Sequence, residues 1–166
     1  MSELWDILDE NGIPTGKTVE RGKPMKPDEY HLVVHVWIKN GKGQYLITKR
    51  TPNKPAPNMW ETTGGSAITG DDSLQAALRE VKEEIGIKLN HENGKRLIRL
   101  KRQHEDSPDF VDVWLFNENA DLARLTFQPD EVNDAKWASA EEILAMIEKN
   151  EFVDVFTYLD ELFKIM

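Results

Sequence analysis

Short runs with a period of two and longer runs with a helical period divide this chain. His31–Ile38 (HLVVHVWI) is β-branched and aromatic throughout, as a central strand requires. A turn at Lys39–Gly43 leads into a second strand, Gln44–Lys49. Trp5–Leu8 reads as a short strand closed by the turn signal Asp9-Glu10-Asn11-Gly12. Met59–Thr62, Phe110–Phe116 (FVDVWLF) and Ala135–Ala138 are further strands, and Lys95–Gln103 (KRLIRLKRQ) alternates basic with apolar residues as a half-exposed one. Thr15–Glu29, with Gly22, Pro24 and Pro27, and Arg50–Asn58, with three prolines, read as irregular connections. Helical spacing appears in Leu74–Ile85, in a segment opened by the capping box Ser139–Glu142 and running to about Asn150, and in Val153–Lys164. The last of these carries Val155, Phe156, Leu159, Leu162 and Phe163 as an apolar stripe, either core or dimer surface. Mixed strands with helices to either side predict an α/β/α sandwich.

The helix over Leu74–Ile85 sets Leu74, Leu78, Val81 and Ile85 on one apolar face. Asp72 and Gln75 have the spacing of a capping box, and Gly86 fits the left-handed stop after the last turn. Gly64, Gly65 and Gly70 precede it, so the unit reads as a glycine loop, a capped helix and a glycine stop. Glu80, Glu83 and Glu84 fall within an arc of roughly 100° beside the apolar stripe. Like charges at i,i+4 repel, here by a few tenths of a kcal/mol. The plain alternative is a solvated acidic face, whereas a hard divalent cation with oxygen ligands would offset the repulsion.

Composition narrows the partners. At 166 residues, one domain spanning 1–166 is expected, with 1–29 as an N-terminal hairpin and extension. The net charge of −9 disfavours long nucleic acid, whose backbone needs a basic surface. The chain has no cysteine, which excludes thiolate chemistry and disulfides. It has no apolar run near the ~20 residues of a membrane span. The first residues, MSELWDILDE, lack a signal-peptide layout, so a cytoplasmic protein is expected.

From Gly65 to Ile87 the sequence GSAITGDDSLQAALREVKEEIGI resembles the box of the Nudix hydrolases. That box is Gly, five residues, Glu, seven residues, then Arg-Glu-aliphatic-any-Glu-Glu-any-Gly-aliphatic. Gly65, Arg79, Glu80, Val81, Glu83, Glu84, Gly86 and Ile87 hold their places, and Asp71 stands where the box has Glu. The resemblance implies an α/β/α sandwich with a mixed sheet, and water attack on one phosphorus of a small diphosphate with Mg²⁺ or Mn²⁺. It implies Glu80 and Glu84 as principal metal ligands and the Gly65 carbonyl as another. Glu83 would be a further ligand, or would orient or deprotonate the water. Arg79 joins this set by pairing with a box carboxylate and orienting it. Its usual partner is one methylene longer than Asp71, so a longer or water-bridged pair is expected. The family recruits one more acid from a later segment; Glu105, Asp109, Asp112 and Glu131 are candidates, with Asp112 and Glu105 placed first.

The front half, Tyr30–Arg50 and the loop to Trp60-Glu61-Thr62-Thr63, resembles type I isopentenyl-diphosphate isomerases. That likeness implies Arg50 and Lys54 as diphosphate binders. The isomerase cysteine, however, falls at Gly65, and of its two histidines only His31 has a match. His35, on the same strand face, is read as structural. Trp60, Trp114 and Trp137 offer rings for a base, although tryptophans in strands are ordinarily core. A diphosphate hydrolase is therefore expected. Its rivals are an isomerase-like enzyme on prenyl diphosphates and a Nudix domain that only binds a nucleotide.

Overall fold

A computed structural model of the chain describes residues 2–166. The strands are β1 (Leu4–Leu8), β2 (Pro14–Glu20), β3 (His31–Lys39), β4 (Tyr45–Arg50), β5 (Trp60–Glu61), β6 (Thr63–Ser66), β7 (Gly94–Arg102), β8 (Asp109–Asn117) and β9 (Val132–Ala138). The α-helices are α1 (Ser73–Ile85), α2 (Ala140–Glu148) and α3 (Leu159–Leu162). β1 and β2 form a separate hairpin. The other strands make one mixed sheet in the order β5-β4-β3-β8-β7, with β6 also on β3 and β9 also on β4. β3 and β8 run parallel from His31↔Asp109 to Lys39↔Asn117.

Alternation along β3 explains the layers. Val34, Val36 and Ile38 face Ala76, Ala77, Val81 and Ile85 of α1. Trp37, on the opposite face, packs with Ile143 and Met146 of α2 and with Phe156, Leu159 and Leu162. The α/β/α sandwich expected from the sequence is the observed architecture. Among the described residues no helix is long and apolar enough to cross a membrane.

Two expectations need correction. The polar segment after Thr15 is not irregular at its start: it pairs with β1 as β2, in the register Leu4↔Glu20, Trp5↔Val19 and Asp6↔Thr18. Backbone pairing holds it, helped by the Thr15 hydroxyl donating to the Ile7 carbonyl at 2.9 Å and by Val19 packing near Trp5 and Ile7, while its other side chains are exposed and show no apolar alternation. Val153–Lys164 is not one helix. The Trp60 amide donates to the Glu151 carbonyl at 2.8 Å and the Val153 amide donates to the Trp60 carbonyl at 2.9 Å. These bonds hold residues 151–153 extended along β5, so α3 is confined to Leu159–Leu162. Of the apolar stripe, Phe156, Leu159 and Leu162 are buried in the core, while Val155 is exposed.

Tyr158 fixes this tail. Its hydroxyl accepts from Trp37 Nε1 at 3.1 Å and lies 2.8 Å from His35 Nδ1. Burial, with Arg102 adding to it, lowers the His35 pKa to about 3. His35 is a neutral structural residue, as the sequence reading has it.

Candidate active site

α1 is built to present carboxylates at a fixed height. Asp72 caps it by accepting from the Gln75 amide at 2.8 Å, and the Gln75 side chain accepts from the Asp72 amide at 2.9 Å. Gly86 stops it in the left-handed region, φ 76°. The buried side is narrower than the leucines imply: Ala76, Ala77, Val81, Glu84 and Ile85 are buried, with Leu74 and Leu78 at its edge. Gly64 and Gly65 lie not in a loop but in β6, paired opposite His35 and Val34. Gly65 is there for room. A Cβ on it would sit 2.6 Å from the Glu80 carboxylate carbon.

Between α1, β6 and β4 lies a cavity of about 380 Å³. Glu80, Glu83 and Glu84 reach it from α1, and Gly64, Gly65 and Ser66 from β6. Arg50, Lys54, Glu61, Gln128 and Glu131 close other sides, and Glu3 with Arg21 stands where the N-terminal hairpin meets it. The segment before β9 is tied to the end of α1: the Thr126 amide donates to the Ile85 carbonyl at 3.1 Å and the Gln128 amide to the Glu84 carbonyl at 2.9 Å. That tie brings Gln128 and Glu131 to the cavity.

The carboxylates there are crowded and poorly hydrated. Burial is the largest influence on Glu80; Arg79 opposes it, Glu83 adds to it, and the pKa is pushed up to about 7. Burial, then the charges of Glu80 and Glu61, push Glu84 well above the usual carboxylate range. Burial also raises Glu61, against the pull of Arg50. Arg79 sits behind the cluster as its organiser. Its guanidinium donates to Asp71 at 2.9 Å, Glu83 at 3.1 Å, the Ser66 carbonyl at 3.2 Å and Glu80 at 3.3 Å. The Arg79–Asp71 pair is therefore direct, neither long nor water-bridged, because the start of α1 carries Asp71 close enough to offset its missing methylene.

Arg50 and Lys54 line the cavity with partners of their own. Arg50 donates to both Glu61 carboxylate oxygens at 2.8 and 3.0 Å, and Lys54 pairs with Glu131. Of the later acids, Glu131 is the one in the cavity. Asp112 and Glu105 are not. Asp112 is fully buried and accepts from Arg99 at 2.6 and 2.8 Å, with Arg96 at 3.5 Å. Burial alone would raise its pKa, but the hydrogen bonds from Arg99 and Ser73 hold it below the usual range. Glu105 is exposed in the turn between β7 and β8 and does not line the cavity. His31 does not line it either; its ring stacks on Trp5 at 4.0 Å. Glu61, Glu3, Arg21 and Gln128 escaped the sequence reading because nothing in their spacing links them to the box.

Removing one member of the Asp112 pair should be costly, since the partner stays behind as an uncompensated charge. Asp112→Ala is expected to lose about 3–5 kcal/mol of unfolding free energy. Chemical denaturation checks this, and a loss below 1 kcal/mol would contradict it.

A model of the NUDIX domain matches residues 29–157 of this chain. The chain belongs to the Nudix family. An uncharacterised Nudix hydrolase of Listeria monocytogenes is 42% identical over 165 residues, covering 98% of this chain and 95% of that one. An isopentenyl-diphosphate Delta-isomerase of Citrobacter koseri is 27% identical over 143 residues, covering 83% of this chain and 78% of the isomerase. A crystal structure from Deinococcus radiodurans superposes with a TM-score of 0.74 at 23% identity, covering 98% of each chain. The chain is thus a Nudix pyrophosphohydrolase, and Nudix hydrolases use divalent metals.

The cavity fits such a cation. It is lined by six carboxylates and three cationic side chains, so an anionic substrate meets net negative charge unless metal ions reverse it. Glu84, unlike Glu80 and Glu83, has no ion-pair partner among the described residues. Among the described residues no three acidic or histidine side chains converge on one point as they stand. Glu83 is turned onto Arg79 instead.

The raised pKa values give the pH dependence a sign. Glu80 and Glu84 bind protons more tightly folded than unfolded, so their contribution favours the metal-free fold at low pH and is lost as pH rises, for Glu80 through about 7. A cation competes with those protons. The rise in Tm on adding Mg²⁺ should therefore be larger at pH 8 than at pH 5.5, and an equal rise at both would contradict this.

Proposed function

We propose that this Nudix hydrolase cleaves the phosphoanhydride of a nucleoside diphosphate derivative or similar small diphosphate, with Mg²⁺ or Mn²⁺ held by Glu80, Glu84 and the Gly65 carbonyl. A cation held by these groups would supply charge neutralisation at the phosphoryl oxygens and a more acidic attacking water. Glu83, half-exposed beside that pair, orients the water and accepts its proton. Arg79 keeps Glu80 and Glu83 in position, and Asp71 in turn holds Arg79. Arg50 and Lys54 exchange Glu61 and Glu131 for the substrate phosphates. Water adds to one phosphorus, the bridging P–O bond breaks, and two phosphate products leave. The single observation that carries this reading is the buried Glu84, without an ion-pair partner among the described residues, beside Glu80 in a cavity lined by six carboxylates.

The isomerase-like reading draws on the similarity to the Citrobacter enzyme. Against it, the cysteine position is Gly65, which has no side chain to offer. A panel of nucleoside, sugar and prenyl diphosphates, assayed with Mg²⁺ for phosphate and monophosphate release, separates the readings. Hydrolysis of at least one nucleoside or sugar diphosphate is expected. Isomerised prenyl diphosphate without hydrolysis, or tight binding without turnover, would overturn the proposal.

A further inference from the structure

The chain has five tryptophans, three tyrosines and six phenylalanines, and none lines the cavity. Each is committed elsewhere. Trp5 is stacked on His31 at 4.0 Å, and Trp37 lies in the core against Phe152 and Phe156. Trp60 is covered by Lys136, 4.6 Å from its ring centre, with Lys49 at 5.9 Å. Trp114 donates to Ser73 Oγ at 2.9 Å, and Trp137 packs against the α1 side of the sheet. Tyr30, Tyr45 and Tyr158 are buried, and Phe127, the aromatic next to Gln128 in sequence, is turned into the α1 core. The apolar side chains that do reach the cavity are Val33 and Pro55.

A nucleobase is ordinarily held by stacking on an aromatic face, and a prenyl chain by an apolar sleeve. This cavity offers neither. Apart from Gln128 and Ser66, its polar side chains are six carboxylates and three cations, which suits phosphates and bound cations. Towards solvent stand Glu3 and Arg21, with side chains 44% and 63% exposed.

Resting on the hydrolase reading above, we infer that the enzyme is base-blind: it recognises the diphosphate and leaves the group beyond it in solvent. The substrate class is then a small, polar diphosphate, in which the base contributes little to kcat/KM and a prenyl tail finds no binding surface.

The test is a matched series with Mg²⁺: ADP, GDP, CDP and UDP, the four corresponding nucleoside diphosphate glucoses, ribose 5-diphosphate as a base-free member, and geranyl diphosphate. Within each set kcat/KM should vary by no more than about threefold among bases, and removing the base should cost less than the roughly tenfold or more that a stacked base would contribute. Ribose 5-diphosphate should stay within the same range as the nucleoside diphosphates, or both should be inert while the glucose set turns over evenly. Geranyl diphosphate should be no better a substrate than the base-free member. A preference above about tenfold for one base, a comparable loss on removing the base, or geranyl diphosphate as the best substrate would overturn the inference while leaving hydrolysis intact. No turnover of any member would overturn the hydrolase reading, and this inference with it.

Discussion

Glu84→Gln is expected to lower kcat by on the order of 10³-fold while leaving the metal-free protein at least as stable as the parent. Loss of an outer partner of a metal ligand already costs roughly 10–100-fold in many sites, and a direct ligand should cost more. The stability half of the prediction is the more diagnostic. Glu84 is 8% exposed. Burial and the neighbouring charges of Glu80 and Glu61 disfavour its ionised form. A neutral side chain of the same shape removes that penalty, so at pH 8 the metal-free variant should unfold at an equal or higher temperature. Mg²⁺ should then raise its Tm much less than it raises that of the parent. Loss of activity together with a lower metal-free Tm would assign Glu84 a structural role instead.

Gly65→Ala should lower turnover on the order of 10²-fold with little change in Tm. The added methyl would meet the Glu80 carboxyl group at 2.6 Å, and that group is the free end of a flexible side chain. It can swing aside without disturbing the backbone, so the fold survives and a metal ligand is displaced. The neighbouring residue is the control. A Cβ at Gly64 would lie 2.4 Å from the Val34 carbonyl oxygen, which the β3–β6 pairing holds in place. Gly64→Ala should therefore cost stability, on the order of 3 kcal/mol. Thermal unfolding and steady-state kinetics on the two variants distinguish a space kept for function from a space kept for the sheet.

The parts of the molecule legible in the sequence are those whose local pattern agrees with their environment. α1 announces itself by its cap, its stop and its stripe, and β3 and β8 by apolar runs, interrupted only at His35 and Asp112, that both faces of the sheet bury. β2 left no such trace, since its side chains are almost all exposed and only Val19 packs inward. Val153–Lys164 has helical spacing, yet each of its aromatics is drawn separately into the core and Trp60 claims the backbone at its start. In the site, the box residues were legible because they share one helix face. Asp112, placed first among the later acids, is instead the partner of Arg99. The β7–β8 hairpin places Arg99 directly across from Asp112 and Arg102 across from Asp109, opposite charges in register. That complementarity is written in the sequence and was the signal to use. Glu61 had no such signal, and Glu131, though among the candidate acids, was not set apart from the others, because only the tertiary path of β5 and of the segment before β9 brings them to α1.

Hydrolysis of a nucleoside diphosphate or sugar diphosphate by chelated enzyme, before and after Mn²⁺ is added back, bears most directly on the Glu80–Glu84 cavity as the seat of activity. The parent should be inert under chelation and regain turnover with Mn²⁺, while Glu80→Gln/Glu84→Gln should stay inert throughout. Turnover that persists under chelation, or that Mn²⁺ restores to the double variant, would contradict it.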